Sequence, residues 1–386
     1  MKKICFVTGS RAEYGLLRDL IIKVKNDKKI KLQLVVTCMH LMPKFGLTYK
    51  EILKDGLKIN FKVKMPISTS NPENITKATG LGMIGFAKVF KKMKPDLLVV
   101  LGDRFEILSA AFAAHSQKIP IAHIGGGEST VAAIDESIRH SVTKMSTIHF
   151  VSTNDYKKRV IQLGEKPSNI FVVGSLGVDR IKKIKLYSRK KIEEMMKFKL
   201  EKNNILFTYH SATLNNYNEK KNIEIILKSL EKLKKTSIIF TYPNVDSGSD
   251  IILGKIKKFV KKNKKNCRIF KSMGDLLYLS LMNHSDLVIG NSSSGIIEAP
   301  SFNTITINIG DRQQGRVKSK KVINCKINLK SILGGIKKGL SKKFKKKTSK
   351  SKNPYEIPES SKKILKKLKT FKVKNTLQKE FYDLKF

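Results

Sequence analysis

Residues 100–140 read VLGDRFEILSAAFAAHSQKIPIAHIGGGESTVAAIDESIRH. An apolar strand ends in Gly102-Asp103-Arg104, and a helical pattern follows. A second short strand, Ile119–His123, runs into a glycine turn that presents Glu128, and a third element opens at Asp135. Three carboxylates and two arginines, Arg104 and Arg139, thus fall where strands end and helices begin. In an open parallel sheet that edge holds the ligands. Carboxylates beside cations suit proton transfer on an anionic substrate.

The same alternation extends both ways. Strands are expected at Ile4–Thr8, Leu32–Cys38, Leu97–Leu101, Ile119–His123 and Ile148–Ser152. A second series is expected at Ile205–Tyr209, Ser237–Thr241, Arg268–Phe270, Leu287–Gly290 and Thr304–Asn308. Helical patterns lie between most of them, which argues for βαβ units and parallel sheets. The fold class is α/β with two Rossmann-like, doubly wound domains. The N-terminal domain spans residues 1–180 and carries the carboxylates. The C-terminal domain spans 181–365, with the seam in a lysine-rich connector between Gly174 and Lys202. Residues 366–386 form a terminal helix that packs back on the body.

The 386 residues carry a net charge of +47, which invites a nucleic-acid reading. The distribution argues against one. Ten arginines stand against 68 lysines, and the lysines decorate surface-like helical segments. Five arginines, Arg11, Arg104, Arg139, Arg312 and Arg316, fall instead in the glycine- and carboxylate-bearing segments. Arginine recognises phosphate through a planar fork; lysine is a hydrated point charge. No tract interleaves aromatics with cations as stacking platforms require. The densest run, Lys342–Lys352, reads as a loop. No apolar run is long enough to cross a membrane. The N-terminal apolar run is too short for a secretory signal. Cys5, Cys38, Cys267 and Cys325 have no metal-site spacing and indicate a reducing cytoplasm.

Individual motifs remain ambiguous. The turn Gly9-Ser10-Arg11 can bind an anion at a helix N-terminus or be a plain βα turn with a surface arginine. Asp103 can cap the next helix or enter a site. Asp135 can do the same, with Arg139 one turn later as its ion-pair partner. Glu128 follows three glycines, which let its loop approach a ligand. His210 ends the first strand of the second domain. Ser292-Ser293-Ser294-Gly295 can cradle a diphosphate or serve as an N-cap, and Glu298 can accept ribose hydroxyls. Arg312 and Arg316 add two cations in a glycine-bounded loop.

As an ordered set, these motifs strongly resemble the hydrolysing UDP-N-acetylglucosamine 2-epimerases. The set is TGSRAEYGLL (8–17), GDRFE (102–106), HIGGGEST (123–130), IDESIRHSVTKMS (134–146), HFVSTNDYKKRVIQLGE (149–165) and VGSLGVD (173–179). It continues with TYHSATL (208–214), TYPNVDSGS (241–249), GNSSSGIIEAPSF (290–302) and INIGDRQQGR (307–316). The resemblance implies a glycosyltransferase-B type fold with the active site in the interdomain cleft. It implies a nucleotide-sugar substrate and chemistry with no metal and no cofactor. It also implies a cytoplasmic homodimer or homotetramer with neither a nucleic-acid nor a membrane partner. Asp103 and Asp135 match the family's acid/base carboxylates, and His210 its cleft histidine. Ser293 and Ser294 match the diphosphate turn, Glu298 the ribose contact, and Arg11 the arginine near the phosphates. The chain departs from several relatives at Gly125, where they carry an acid, and Glu128 is the candidate replacement.

The implied reaction is elimination of UDP to a glycal, followed by hydration with inversion at C2, in the service of nonulosonic acid synthesis. The sugar is N-acetylglucosamine or, alternatively, N,N′-diacetylbacillosamine on UDP or GDP. The rival of the same fold is a glycosyltransferase, which has less need of the carboxylates Asp103, Glu128 and Asp135.

Overall fold

The computed structural model describes residues 1–67, 71–131, 133–212, 218–244, 246–302, 304–372 and 378–384. Seven strands build the first sheet: β1 (Lys2–Thr8), β2 (Ile30–Thr37), β3 (Phe61–Val63), β4 (Leu97–Leu101), β5 (Ile121–Ile124), β6 (Ile148–Val151) and β7 (Ile170–Val172). Six build the second: β8 (Asn203–Thr208), β9 (Thr236–Thr241), β10 (Cys267–Phe270), β11 (Leu287–Gly290), β12 (Ile305–Ile309) and β13 (Val322–Cys325). Helices fill the intervals, and the strand pairs are parallel. Strands covered on both faces need continuous apolar runs. Ile4–Val7 and Leu97–Val100 supply them and are fully buried.

The strand orders are β3-β2-β1-β4-β5-β6-β7 and β10-β9-β8-β11-β12-β13. Each sheet reverses direction once, at β1/β4 and at β8/β11. Loops leaving neighbouring strands at such a switch diverge to opposite faces and open a crevice at the strand ends. The first crevice receives Gly9–Arg11 and Gly102–Arg104, and the second receives His210 and Ser292–Ser294. These are the segments singled out in the sequence.

All ten expected strands are present. Three more, β3, β7 and β13, lie at sheet edges. They are only three or four residues long, and an edge strand has no second neighbour to demand a long apolar run. Two expectations are corrected. Lys342–Thr348 is a helix, not a loop: Ser341 Oγ caps it by accepting from Phe344 N at 3.3 Å, and Phe344 packs on the second core. The terminal helix runs Ser360–Thr370 rather than over 366–386: it begins early enough to bury Ile364, one turn before the buried Leu368, and it ends at Thr370. Residues 378–384 form neither helix nor strand.

That helix packs on Arg11–Lys25 of the first body. The chain therefore returns after completing the second sheet. It crosses back at Tyr355, whose carbonyl accepts from Ser175 N at 3.0 Å beside the outgoing crossing.

Gly290 closes β11 with φ 135°, and a Cβ there would collide with the Thr208 carbonyl oxygen of β8. Gly290→Ala should lower folding stability by about 2–4 kcal/mol, read from the denaturant midpoint. An unchanged midpoint would show that β8 and β11 have room to part.

Candidate active site

The two crevices face each other across one cleft. Its lining includes Arg11, Asp103 and Asp135 from the first body and His210, Ser293 and Glu298 from the second. Cavities of about 250 and 540 Å³ adjoin along this cleft and share a wall of Arg11, Gly15, Arg180, Met273 and Asp275. Ser10 caps the helix Arg11–Lys25, its Oγ accepting from Glu13 N at 3.3 Å, and this sets Arg11 at the helix N-terminus. Gly102, at φ 85°, turns the chain out of β4 and delivers Asp103 and Arg104.

The electrostatic centre of the first body is Arg139, 1 % exposed. Its guanidinium pairs with Asp103 and with Glu136 (2.7 Å). It also donates to the Glu128 carbonyl (2.9 Å) and to Thr130 Oγ1 (2.5 Å). Burial alone would raise the Asp103 carboxyl, but Arg139, Arg316 and Arg312 outweigh it and hold the group below the usual carboxylate range. Asp135 moves the other way. Burial, with Asp103 and Asp246 nearby, pushes it up to about 7, and Arg312 at 3.8 Å offsets this only in part. Two neighbouring carboxyls are thereby split into a firm anion and a group poised to exchange protons near neutrality.

His210 is fixed by Asn291, which donates from Nδ2 to the His210 carbonyl (2.8 Å) and accepts from its N–H (2.7 Å). His210 Nδ1 accepts from Asn244 N at 3.1 Å, so the ring proton of the neutral form sits on Nε2. Burial, and then Arg312, push its pKa down to about 3, so the imidazole stays neutral. In the serine turn, Ser292 Oγ caps the short helix Ser293–Ile297, and Ser294 Oγ meets Ser292 Oγ at 3.1 Å and Tyr278 OH at 2.7 Å. Glu298 is buried, its Oε2 has no partner, and burial pushes it up to about 7. A buried acceptor without a donor fits ligand hydroxyls.

Arg11, Asp103, Asp135, His210, Ser292, Ser293, Ser294, Glu298 and Arg312 all reach the cleft. Three expected residues are absent from its lining. Arg139 stands behind Asp103. Gly295 lies under the serine turn, where a Cβ would come within 2.8 Å of Thr306 Cγ2. Glu128 pairs with Arg316 at 2.5 Å, across the boundary between the bodies. Sequence reasoning omitted Asp246, Asp275 and Tyr278. Asp246 binds Arg104 at 2.9 Å and Asp275 binds Arg180 at 2.5 Å, both across the cleft. The motif TYPNVDSGS contained the signal for Asp246, but no charge pattern there named its partner. Thr213 and Leu214 of TYHSATL, and Val245 of TYPNVDSGS, lie outside the described residues. Among the described residues no group of three or more His, Cys, Asp or Glu is arranged to hold a metal ion, and none of their helices is long and apolar enough to cross a membrane.

Two doubly wound bodies whose strand-end crevices face each other, one carrying the split carboxyl pair and the other the serine turn and Glu298, define a two-domain α/β class of fold. The comparisons narrow it. The family model for UDP-N-acetylglucosamine 2-epimerase matches residues 22–369, and the chain belongs to that family. It is 44% identical over 327 residues to the GDP/UDP-N,N′-diacetylbacillosamine 2-epimerase (hydrolyzing) of Campylobacter jejuni, covering 85% of each chain. It is 41% identical to the polysialic acid biosynthesis protein P7 of Escherichia coli, over 100% of this chain and 98% of that one. The crystal structure of the UDP-GlcNAc 2-epimerase of Neisseria meningitidis bound to UDP-GlcNAc shares the fold, with a TM-score of 0.78 at 19% identity over 95% of this chain and 99% of that one.

The value of about 7 for Asp135 lies above its ordinary 3.8. A raised carboxyl stabilises the folded form fully below its unfolded value and loses that contribution as pH rises through its folded value. Asp135 therefore costs progressively more folding stability from about pH 4 to pH 7, and the slope of melting temperature against pH over that window should be more positive in Asp135→Asn than in the wild type. An unaltered slope would assign the titration to another group.

Proposed function

We propose that the protein converts UDP-N-acetylglucosamine to UDP and free N-acetylmannosamine, with inversion at C2. The observation that carries this reading is the Asp103/Asp135 pair facing the serine turn and the unpartnered Glu298 across one cleft. Arg11, Ser293 and Ser294 receive the diphosphate, Arg312 adds positive charge beside it, and Glu298 accepts the ribose hydroxyls. The neutral His210 offers its Nε2–H to the substrate.

The C2 proton of the sugar is not acidic, so its loss is coupled to departure of UDP from C1. Asp135 takes the proton, since a base poised near neutrality suits that step. The C2–H electrons form the C1–C2 double bond as the C1–O bond breaks towards the diphosphate, whose growing charge the arginines and serines stabilise. The glycal then takes water at C1 and a proton at C2 from the opposite face, through a water ordered by Asp103. Closure of the two bodies excludes bulk water during these steps. Arg139 keeps Asp103 ionised, and Glu128 positions Arg316. On this reading the enzyme works in the cytoplasm, which suits its four buried free thiols. It does so as a homodimer or homotetramer, which would cover the exposed Leu81, Ile84 and Phe112.

A second reading has N,N′-diacetylbacillosamine as the sugar, on UDP or GDP. The 44% identity to the C. jejuni enzyme favours it. The two sugars differ at C4 and C6, away from the reacting bond. Incubation with each nucleotide sugar and NMR of the released sugar separates the two. UDP or GDP and a free C2-inverted sugar should form with no acceptor present; an absolute need for an acceptor would instead establish a transferase. In heavy water the product should carry deuterium at C2, and retention of the substrate's own hydrogen would rule out elimination.

Asp103→Asn and Asp135→Asn should each lower turnover about 100-fold or more with UDP affinity little changed. Glu298→Gln should instead weaken UDP binding, because an amide accepts hydroxyl protons less strongly than a carboxylate. Near-normal turnover in both aspartate variants would leave those residues as ion-pair partners only, Asp103 of Arg139 and Asp135 of Arg312.

A further inference from the structure

Three side chains behind the cleft converge on one loop that the reaction uses. The loop 310–316 leaves β12, carries Arg312 and Arg316 into the cleft, and is bent near both ends by Gly310 and Gly315, at φ 73° and 81°. One part of it is held at Asn291, whose carbonyl accepts from Arg312 Nη1 at 3.2 Å and from Gln313 Nε2 at 2.8 Å. Its far end is held by the first body and by the returning chain. Arg159, on the helix Asn154–Gln162, donates to the Gly315 carbonyl at 2.9 Å and to the Gly127 carbonyl at 3.2 Å. Val317 N donates to Tyr156 OH at 3.1 Å, Tyr156 OH lies 2.6 Å from Tyr355 OH, and Tyr355 OH donates to the Val317 carbonyl at 2.8 Å. Neither tyrosine nor Arg159 lines the cleft.

We propose that Tyr156, Tyr355 and Arg159 form a clasp that sets where Arg312 stands, and so act as positioning residues for the substrate's diphosphate. This rests on the epimerase reading, in which Arg312 lies beside that group. Donor counting fixes the sense of the clasp. A tyrosine hydroxyl has one proton. Tyr355 gives its own to the Val317 carbonyl, so Tyr156 donates to Tyr355 and accepts from Val317 N. Three bonds thus close on the main chain of one residue, and both tyrosines are fully buried. The fork of Arg159 then joins Gly127, next to Glu128, to Gly315, next to Arg316.

The fit leaves little slack. A Cβ on Gly315 would fall 2.7 Å from Ser129 Oγ, and one on Gly127 would collide with the Tyr156 carbonyl oxygen. Arg312 keeps a donor for a ligand. Its Nη1 is taken by Asn291, its Nη2 faces Asp135 at 3.8 Å, and its buried Nε has no hydrogen-bond partner among the described residues. The clasp holds the main chain three to five residues beyond Arg312, and Asn291 holds the side chain, so the two anchors together aim that N–H. The Arg316 side chain, on Glu128 and the Ser129 carbonyl, ties the far end less directly, through a flexible stem.

Hydrogen exchange of the whole protein tests the clasp without a nucleotide. Tyr156→Phe, and Arg159→Lys, which keeps the charge but cannot span both carbonyls, should each speed amide exchange across residues 312–317 about tenfold and leave β11 unchanged. Calorimetry with UDP tests the route through Arg312. Each variant should weaken UDP about tenfold, the scale of one charge-assisted bond, but by less than about twofold when Arg312→Ala is already present. Unchanged exchange, or equal losses with and without Arg312→Ala, would overturn the proposal. In turnover, the acid limb of kcat/KM should move to higher pH in both variants. Asp103 and Asp246 raise the Asp135 carboxyl while Arg312 and Arg104 lower it, so a displaced Arg312 leaves that base protonated over a wider range. A limb left in place would mark a merely structural role and overturn the proposal as well. The exchange and UDP measurements need no turnover, so a failure of the epimerase reading shows separately.

Discussion

The buried guanidinium of Arg139 is the interaction on which the first crevice depends. A cation with 1 % exposure is tolerable only when its donors are met and its charge is balanced. Asp103, Glu136, Thr130 and the Glu128 carbonyl meet those needs, and they come from the end of β4, from the loop after β5 and from the helix Asp135–Met145. One side chain thus ties two strand-end segments to its own helix in a fixed frame. Removing it would leave the partly exposed Asp103 and Glu136 carboxylates without their shared cation. Lysine could not replace it, because the fork reaches several acceptors at once. The same contact sets the ionisation of Asp103 and, through that negative charge, helps to raise Asp135.

Charge also organises how the two bodies meet. Arg104 and Arg180 of the first body find Asp246 and Asp275 of the second, while Arg312 and Arg316 of the second find Asp135 and Glu128 of the first. Each body presents both signs, so the closed arrangement is specified by register as well as attraction. The lysines take little part in this. Their ion pairs lie mostly on exposed surface, where they contribute little to stability.

The doubly wound architecture was legible because covered parallel strands leave continuous apolar runs. The edge strands β3, β7 and β13 left no such trace. The helix at Lys342–Thr348 was hidden by its charge, since local composition spoke louder than the single packed Phe344. At the site, residues on strand-end turns were legible because the switch point gives those positions meaning. Asp246 and Asp275 were not, because their roles depend on partners far away in the chain, and Tyr278 was not, because it lies inside a helix and meets the serine turn only in the fold. Glu128 shows the converse. Its glycine-rich approach suggested a ligand contact, yet Arg316, nearly 190 residues onward in the sequence, claims its carboxylate in the structure.

The return of the chain at Tyr355 has a consequence for biosynthesis. The first body lacks its final helix, Ser360–Thr370, until every strand of the second sheet has been made. Until then the face of Arg11–Lys25 that receives Ile364 and Leu368 stands bare on the nascent chain. The second sheet, in contrast, has all its strands by Cys325. The later half can thus mature before the earlier one, and an N-terminal fragment released early would carry an open apolar seam that invites association with its like.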